Sequence, residues 1–156
     1  MFEIRPATTA DANAISALIL SVAHLITLRH DAFGVESFLK NQEPEAIAQL
    51  INNRDFLYFV GHIKEELIGM VAMKNQSHLY NLYVTPAFHQ QGFAKKLWSH
   101  AQKVVLQQNE LTQFTVNSSP YALPVYKRFG FHATSEPVES NGIAYVPMVL
   151  NIRKGF

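Results

Sequence analysis

Residues 78–84, HLYNLYV, carry a large side chain at nearly every position, with Leu79, Asn81 and Tyr83 on one face of an extended strand and Tyr80, Leu82 and Val84 on the other. A strand loaded on both faces needs cover on both, which places it mid-sheet with helices above and below. Its flanks agree. Upstream, DFLYFVGHI and LIGMVAM are short β-rich runs separated by KEE, the length and polarity of a hairpin connection. Downstream the chain stops at Thr85-Pro86, passes a polar pair and Gly92, and enters a helical stripe of Phe93, Ala94, Leu97, Trp98, Ala101, Val104 and Val105. Lys95, Lys96, Gln102 and Gln108 take the wet face.

The remaining elements follow from the same periodicities. A strand is predicted from Phe2 to Arg5, ended by Pro6, which withholds a donor from the ladder. Thr8 and Asp11 have capping-box spacing, and Ala12, Ile15, Leu18, Ile19, Val22 and Leu25 recur as one helical face. A second helix is expected from Pro44 to Asn52, with proline in its tolerant first turn. LTQFTV reads as a strand. In NSSPYALPVYKRFG, Ser119 is the expected N-cap, Pro120 the first helical residue and Gly130 the residue just past the end. Ala122, Val125, Tyr126 and Phe129 share a face, and Pro124 leaves the first turn irregular. FHATSEPV and GIAYVPMVLNI, separated by ESN, predict a closing antiparallel hairpin. The order β, α, α, β, β, β, α, β, α, β, β is that of an α/β chain with a mixed sheet between helices, and 156 residues suit one domain, 1–156.

Composition removes several functional classes. Thirteen Lys and Arg nearly cancel twelve Asp and Glu, and no basic cluster offers a face to nucleic acid or an anionic bilayer. The absence of cysteine excludes disulfides and thiolate chemistry and suits a reducing compartment, so cytoplasm is the expected location. The most apolar run, AISALILSVAHLITL, is 15 residues long and contains Ser16, Ser21 and His24, so it reads as a core helix and neither as a membrane span nor as a signal peptide. The seven histidines, His24, His30, His62, His78, His89, His100 and His132, form no pair at ligand spacing, which predicts scattered surface residues and no metal.

Two features carry chemistry. A strand that turns directly into a helix leaves several N–H groups unpartnered at the helix start, with the positive end of the dipole behind them, which makes an anion site. Gly92 would let a bulky anion such as pyrophosphate approach; alternatively it relieves crowding at the corner. Far along the chain, Tyr126 lies four residues before Gly130-Phe131 on a second helix that follows a strand. A tyrosine on an apolar stripe is ordinarily a packing residue. The combination resembles the GCN5-related N-acetyltransferases, which move an acyl group from coenzyme A to an amine. HQQGFA, His89 to Ala94, is similar to their coenzyme motif at Gly92 and Ala94, with His89 where the family usually has Arg or Gln; LYVTP and PVYKRFGF also look like the family, as does the element order over the whole chain.

What the resemblance implies is specific. The fold would be a mostly antiparallel sheet flanked by helices and splayed between its fourth and fifth strands. The co-substrate would be acetyl-CoA, with no metal. Backbone near Leu82, Tyr83 and Val84 would pair with pantetheine, and the run His89, Gln90, Gln91, Gly92, Phe93 and Ala94 would hold the pyrophosphate. Ser119 stands where the family often has Asn, and Asn117 two residues earlier supplies the amide nearby. A free N–H at Leu82 would stabilise the oxyanion, an effect of about 3 kcal/mol per donor, and Tyr126 would protonate the departing thiolate. The acceptor, a small-molecule or peptide amine, would meet Tyr80, Asn81 and the connector containing His30, Asp31 and Glu36. Exposed edge strands leave room for a homodimer. A non-catalytic module sensing acetyl-CoA on the same fold is the alternative; Ser118 and Ser119 could suggest a nucleophile, yet helix capping explains Ser119 with less assumption.

Overall fold

In the computed structural model, which describes residues 1–23, 38–140 and 143–152, the two-faced strand lies at the centre as its composition demands. The strands are β1 (Phe2–Pro6), β2 (Phe56–Ile63), β3 (Glu66–Lys74), β4 (His78–Val84), β5 (Gln113–Ser118), β6 (His132–Ala133), β7 (Val138–Ser140) and β8 (Ile143–Asn151). They assemble in the order β1-β2-β3-β4-β5-β8-β6, with β7 on the extension of β8. Every pairing is antiparallel except β4 with β5, which run parallel and pair at only two positions, His78↔Thr115 and Leu79↔Val116. Beyond Leu79 the two strands separate, while β5 stays paired with β8 along its whole length. The predicted splay is therefore present. Its vertex is pinned by a His78 Nδ1 to Thr115 Oγ1 hydrogen bond of 2.8 Å.

Helices cover both faces. On one side α1 (Ala12–Val22) and α2 (Pro44–Ile51) bury Ile15, Ile19 and Ile47 against Tyr58, Val60, Met70 and Ala72. Opposite, α3 (Phe93–Gln108) and the short α4 (Leu123–Arg128) bury Leu97, Trp98, Ala101, Val105 and Tyr126 against Phe59, Val71, Leu79, Phe114 and Met148. The α3 axis comes very close to the sheet because glycines face each other beneath it: a Cβ on Gly69 would stand 2.8 Å from the Leu97 side chain. Among the described residues no helix is long and apolar enough to cross a membrane.

Four expectations need correction. In β4, Met73 pairs with Leu79 but Ala72 with Asn81, so Tyr80 is an extra, bulged residue. The bulge shifts parity: Leu82 and Val84 pack with Leu79 on the α3 side, whereas Tyr80 and Tyr83 pack on the α1 side. The cap of α4 is Ala122, not Ser119. Pro124 cannot supply the amide a helix begun at Pro120 would need, so the helix starts later with Pro124 in its first turn, and Ser119 Oγ instead accepts from the Ala122 N–H at 3.1 Å in the preceding turn. The closing hairpin splits its first strand into β6 and β7, with Pro137 in the break. Three histidines are not loose surface groups: His78 and His89 are hydrogen-bonded, and His100 packs edge-on against Phe59 at 4.7 Å. His24, Leu25, His30, Asp31 and Glu36 lie outside the described residues.

The predicted box at the α1 entrance closes on Asp11, whose Oδ2 accepts from the Thr8 N–H at 2.8 Å, and a two-pronged Arg5 clamp at 2.7 and 2.8 Å ties it to the end of β1. The Arg5 bond, with Thr8 in support, lowers the Asp11 pKa from 3.8 to about 2. A carboxyl depressed on folding contributes stability above pH 3.8 that disappears as pH falls through about 2. Because the Arg5 side chain is 49% exposed, solvent screens the pair and the contribution should be about 1 kcal/mol. Urea unfolding of wild type and Asp11→Asn should differ by that amount at pH 6 and converge near pH 2.

Candidate active site

At its far end β4 loses its neighbour on one side. Thr85 N–H donates to the Ile68 carbonyl at 2.8 Å, in register with the Gly69↔Val84 and Met70↔Tyr83 pairs. Bonded and non-bonded pairs alternate along an antiparallel ladder. Thr85 and Tyr83 therefore direct their main-chain groups to β3, and those of Leu82 and Val84 point the other way, where β5 has already departed. One of these four groups is occupied: His89 Nε2 donates to the Val84 carbonyl at 2.6 Å. A carbonyl only accepts, so Nε2 carries the hydrogen. Leu82 N–H, Leu82 C=O and Val84 N–H have no protein partner among the described residues.

The chain then rounds the corner. After a 3-10 turn at Pro86–Phe88, Gln90 (φ 62°) and Gly92 (φ 82°) are both left-handed, which curls successive N–H groups toward a common side. Gly92 caps α3 and its carbonyl accepts the first helical bond from Lys96 at 3.1 Å, so the N–H groups of Phe93, Ala94 and Lys95 precede any intrahelical partner. A Cβ on Gly92 would meet nothing within 4 Å, so crowding does not explain the glycine. Its conformation does, and the empty space before the N–H groups fits a bulky anion such as a pyrophosphate.

Tyr126 comes from the far side of the opening. It is 7% exposed, and its ring packs edge-on against Phe129 and Phe131 at 6.1 and 5.8 Å. The end of α4 is locked by a Schellman motif: Phe131 N–H reaches the Tyr126 carbonyl and Gly130 N–H the Lys127 carbonyl, both at 3.0 Å, with Gly130 left-handed at φ 101°. Burial first, and then the neighbouring Tyr83, raise the pKa of the Tyr126 phenol. At neutral pH it therefore holds its proton, as a proton donor must.

These parts open into one cavity of about 1600 Å³, more than a single drug-sized ligand needs. Leu82, Tyr83, Val84, His89, Gln90, Gly92, Phe93 and Ala94 line it, as do Asn117, Ser119, Tyr126, Tyr80 and Asn81. Gln91 does not: it is exposed, with Nε2 3.5 Å from the Ala87 carbonyl. Ser118 is fully buried and its hydroxyl is engaged in donating to the Ser119 carbonyl. Sequence reasoning missed Phe38, Gln42, Tyr121, Arg128 and Tyr145 on the lining, since nothing in their local pattern separates them from ordinary surface or core residues. On the α1 side the Asn81 Nδ2 is buried with no hydrogen-bond partner among the described residues. Beside it burial pushes the Tyr80 phenol up, and burial with Tyr80 pushes Tyr83 up to about 12.

Solved structures with this architecture include a GCN5-related N-acetyltransferase from Rhodopseudomonas palustris, 19% identical with a TM-score of 0.79 over 96% of this chain and 95% of that one. The PaiA N-acetyltransferase of Thermoplasma acidophilum, solved in complex with coenzyme A, is 17% identical with a TM-score of 0.77 over 97% and 99%. The ribosomal-protein-S18-alanine N-acetyltransferase of Escherichia coli is 16% identical with a TM-score of 0.67 over 100% and 97%. No curated protein matches the chain significantly. At these identities the likeness establishes the fold; the family model described as "Acetyltransferase (GNAT) domain" matches residues 26–152, most of the chain, and the protein accordingly belongs to the GNAT acetyltransferases.

Proposed function

We propose that this chain, as one domain spanning residues 1–156 in the cytoplasm, transfers an acetyl group from acetyl-CoA to a primary amine by direct attack, with both substrates bound together. The observation that carries the reading is the convergence in one cavity of unpaired β4 backbone, the α3 N–H cradle and the Tyr126 phenol. Leu82 and Val84 offer main-chain groups to the amides of a pantetheine arm laid in the splay as a further strand. The corner from Gln90 to Ala94 holds the pyrophosphate by N–H groups and helix dipole, with Lys95 on the same lining.

When bound, acetyl-CoA supplies the reactive thioester. Leu82 N–H faces the charge that develops on the carbonyl oxygen, in a position no water need be reorganised to fill. The Tyr126 hydroxyl gives its proton to the departing sulfur as the carbon–sulfur bond breaks; the nitrogen, having formed the new carbon–nitrogen bond, sheds a proton to solvent, and the phenolate regains one from solvent. On the opposite wall Tyr80 and Asn81 contact the acceptor, and the Asn81 amide, which has no partner among the described residues, is the group an incoming polar substituent would complete. Release of free thiol from acetyl-CoA over a panel of small amines and peptide N-termini tests this reading. Thiol release that depends on an amine is expected; tight binding with no release under any amine would favour a coenzyme sensor.

A further inference from the structure

The bond from His89 to the Val84 carbonyl joins the last residue of β4 to the corner five residues later, and it lies where two different coenzyme contacts must meet. On one side is the open ladder edge of Leu82 and Val84; on the other are the left-handed turns at Gln90 and Gly92 that aim N–H groups outward. Left alone, the Val84 carbonyl would present its lone pairs to a polyanion approaching the α3 cradle. Beyond Thr85, the main chain up to Gly92 would also keep, among the described residues, just the short 3-10 turn bonds, Phe88 to Thr85 at 2.9 Å and His89 to Pro86 at 3.2 Å, and the long Gln91 Nε2 contact to the Ala87 carbonyl at 3.5 Å. The imidazole is half-buried and lines the cavity, so the tie sits in the site and not behind it.

Resting on the coenzyme-binding reading above, we infer that His89 is a positioning residue for the coenzyme: its Nε2–H caps the Val84 carbonyl, ends the pantetheine ladder at the Val84 N–H, and presets the corner that receives the pyrophosphate. The residue touches the phosphates with neither charge nor side chain; it acts through the main chain on either side. Its place in the coenzyme motif is thus filled by a group that only needs an N–H at the right reach, and a glutamine amide could supply the same donor.

The test compares wild type with His89→Ala and His89→Gln. His89→Ala should raise the KM for acetyl-CoA, and the calorimetric Kd for coenzyme A, about tenfold, since a short hydrogen bond and the order it imposes are lost. The kcat and the KM for the amine should stay within about twofold, and His89→Gln should restore most of the coenzyme affinity. Nitrogen NMR of the free protein should show His89 with its hydrogen on Nε2. Unchanged coenzyme affinity in His89→Ala would overturn the inference, as would a parallel loss of kcat and amine KM that His89→Gln fails to rescue, which is the mark of general damage to the fold. A wild-type protein that binds no coenzyme A would instead overturn the functional reading on which the inference rests.

Discussion

Tyr126→Phe should lower kcat about a hundredfold while the KM for acetyl-CoA moves no more than about threefold. The substitution removes one oxygen from a ring whose place is set by other things. Phe129 and Phe131 meet its edge, and the Schellman bonds at Gly130 and Phe131 close the helix that carries it. A phenylalanine keeps all of these, so a folding defect is not expected and the loss belongs to the hydroxyl. Because burial and Tyr83 raise the pKa of the phenol, it stays protonated well above neutrality, and the alkaline limb of the wild-type profile should not come from Tyr126. Full turnover by the variant with the same amine would make Tyr126 a packing residue and leave the departing sulfur without its proton source.

Gly92→Asp should separate coenzyme binding from stability. The position is left-handed, a conformation aspartate tolerates better than most residues, and a Cβ there meets nothing within 4 Å. The folded state should therefore lose only about 1 kcal/mol. Its carboxylate would add a negative charge at the mouth of the cradle formed by the N–H groups of Phe93, Ala94 and Lys95 and repel a phosphate there. Coenzyme A affinity should fall at least about tenfold, the cost of a like charge beside the phosphates. Calorimetry on the folded variant checks it; unchanged affinity would place the phosphates elsewhere.

The reach of the sequence can be judged element by element. Periodicity was enough for α1 and α3, because their apolar stripes need no information from outside the segment, while Pro44 marked the start of α2 and the polar KEE between two β-rich runs marked the β2–β3 hairpin. The strand-corner-helix unit at 78–108 was equally legible, since Pro86, Gly92 and the stripe after it are local signals. The bulge at Tyr80 was not. A period-of-two reading assumes unbroken pairing, and whether β4 carries one residue more than β3 is decided between strands. Gln90 in a left-handed turn leaves no mark either, as glutamine has no preference for it. His89 shows the same limit at the site: the residue type was visible, but its bond to Val84 depends on how the corner folds back over β4. Pro124 carried enough information to move the α4 start to Leu123, had its missing donor been weighed above the Ser-Pro signature before it.

Amide hydrogen exchange at Leu82 and Val84 tests the account most directly, because it rests on main-chain groups of β4 pairing with the coenzyme as a strand would. Without ligand, the N–H groups of both residues should exchange far faster than that of Tyr83, which is bonded within the β3 ladder. Saturating acetyl-CoA should slow Leu82 and Val84 by at least about tenfold and leave Tyr83 little changed. Exchange at Leu82 and Val84 that is indifferent to bound acetyl-CoA would contradict the account.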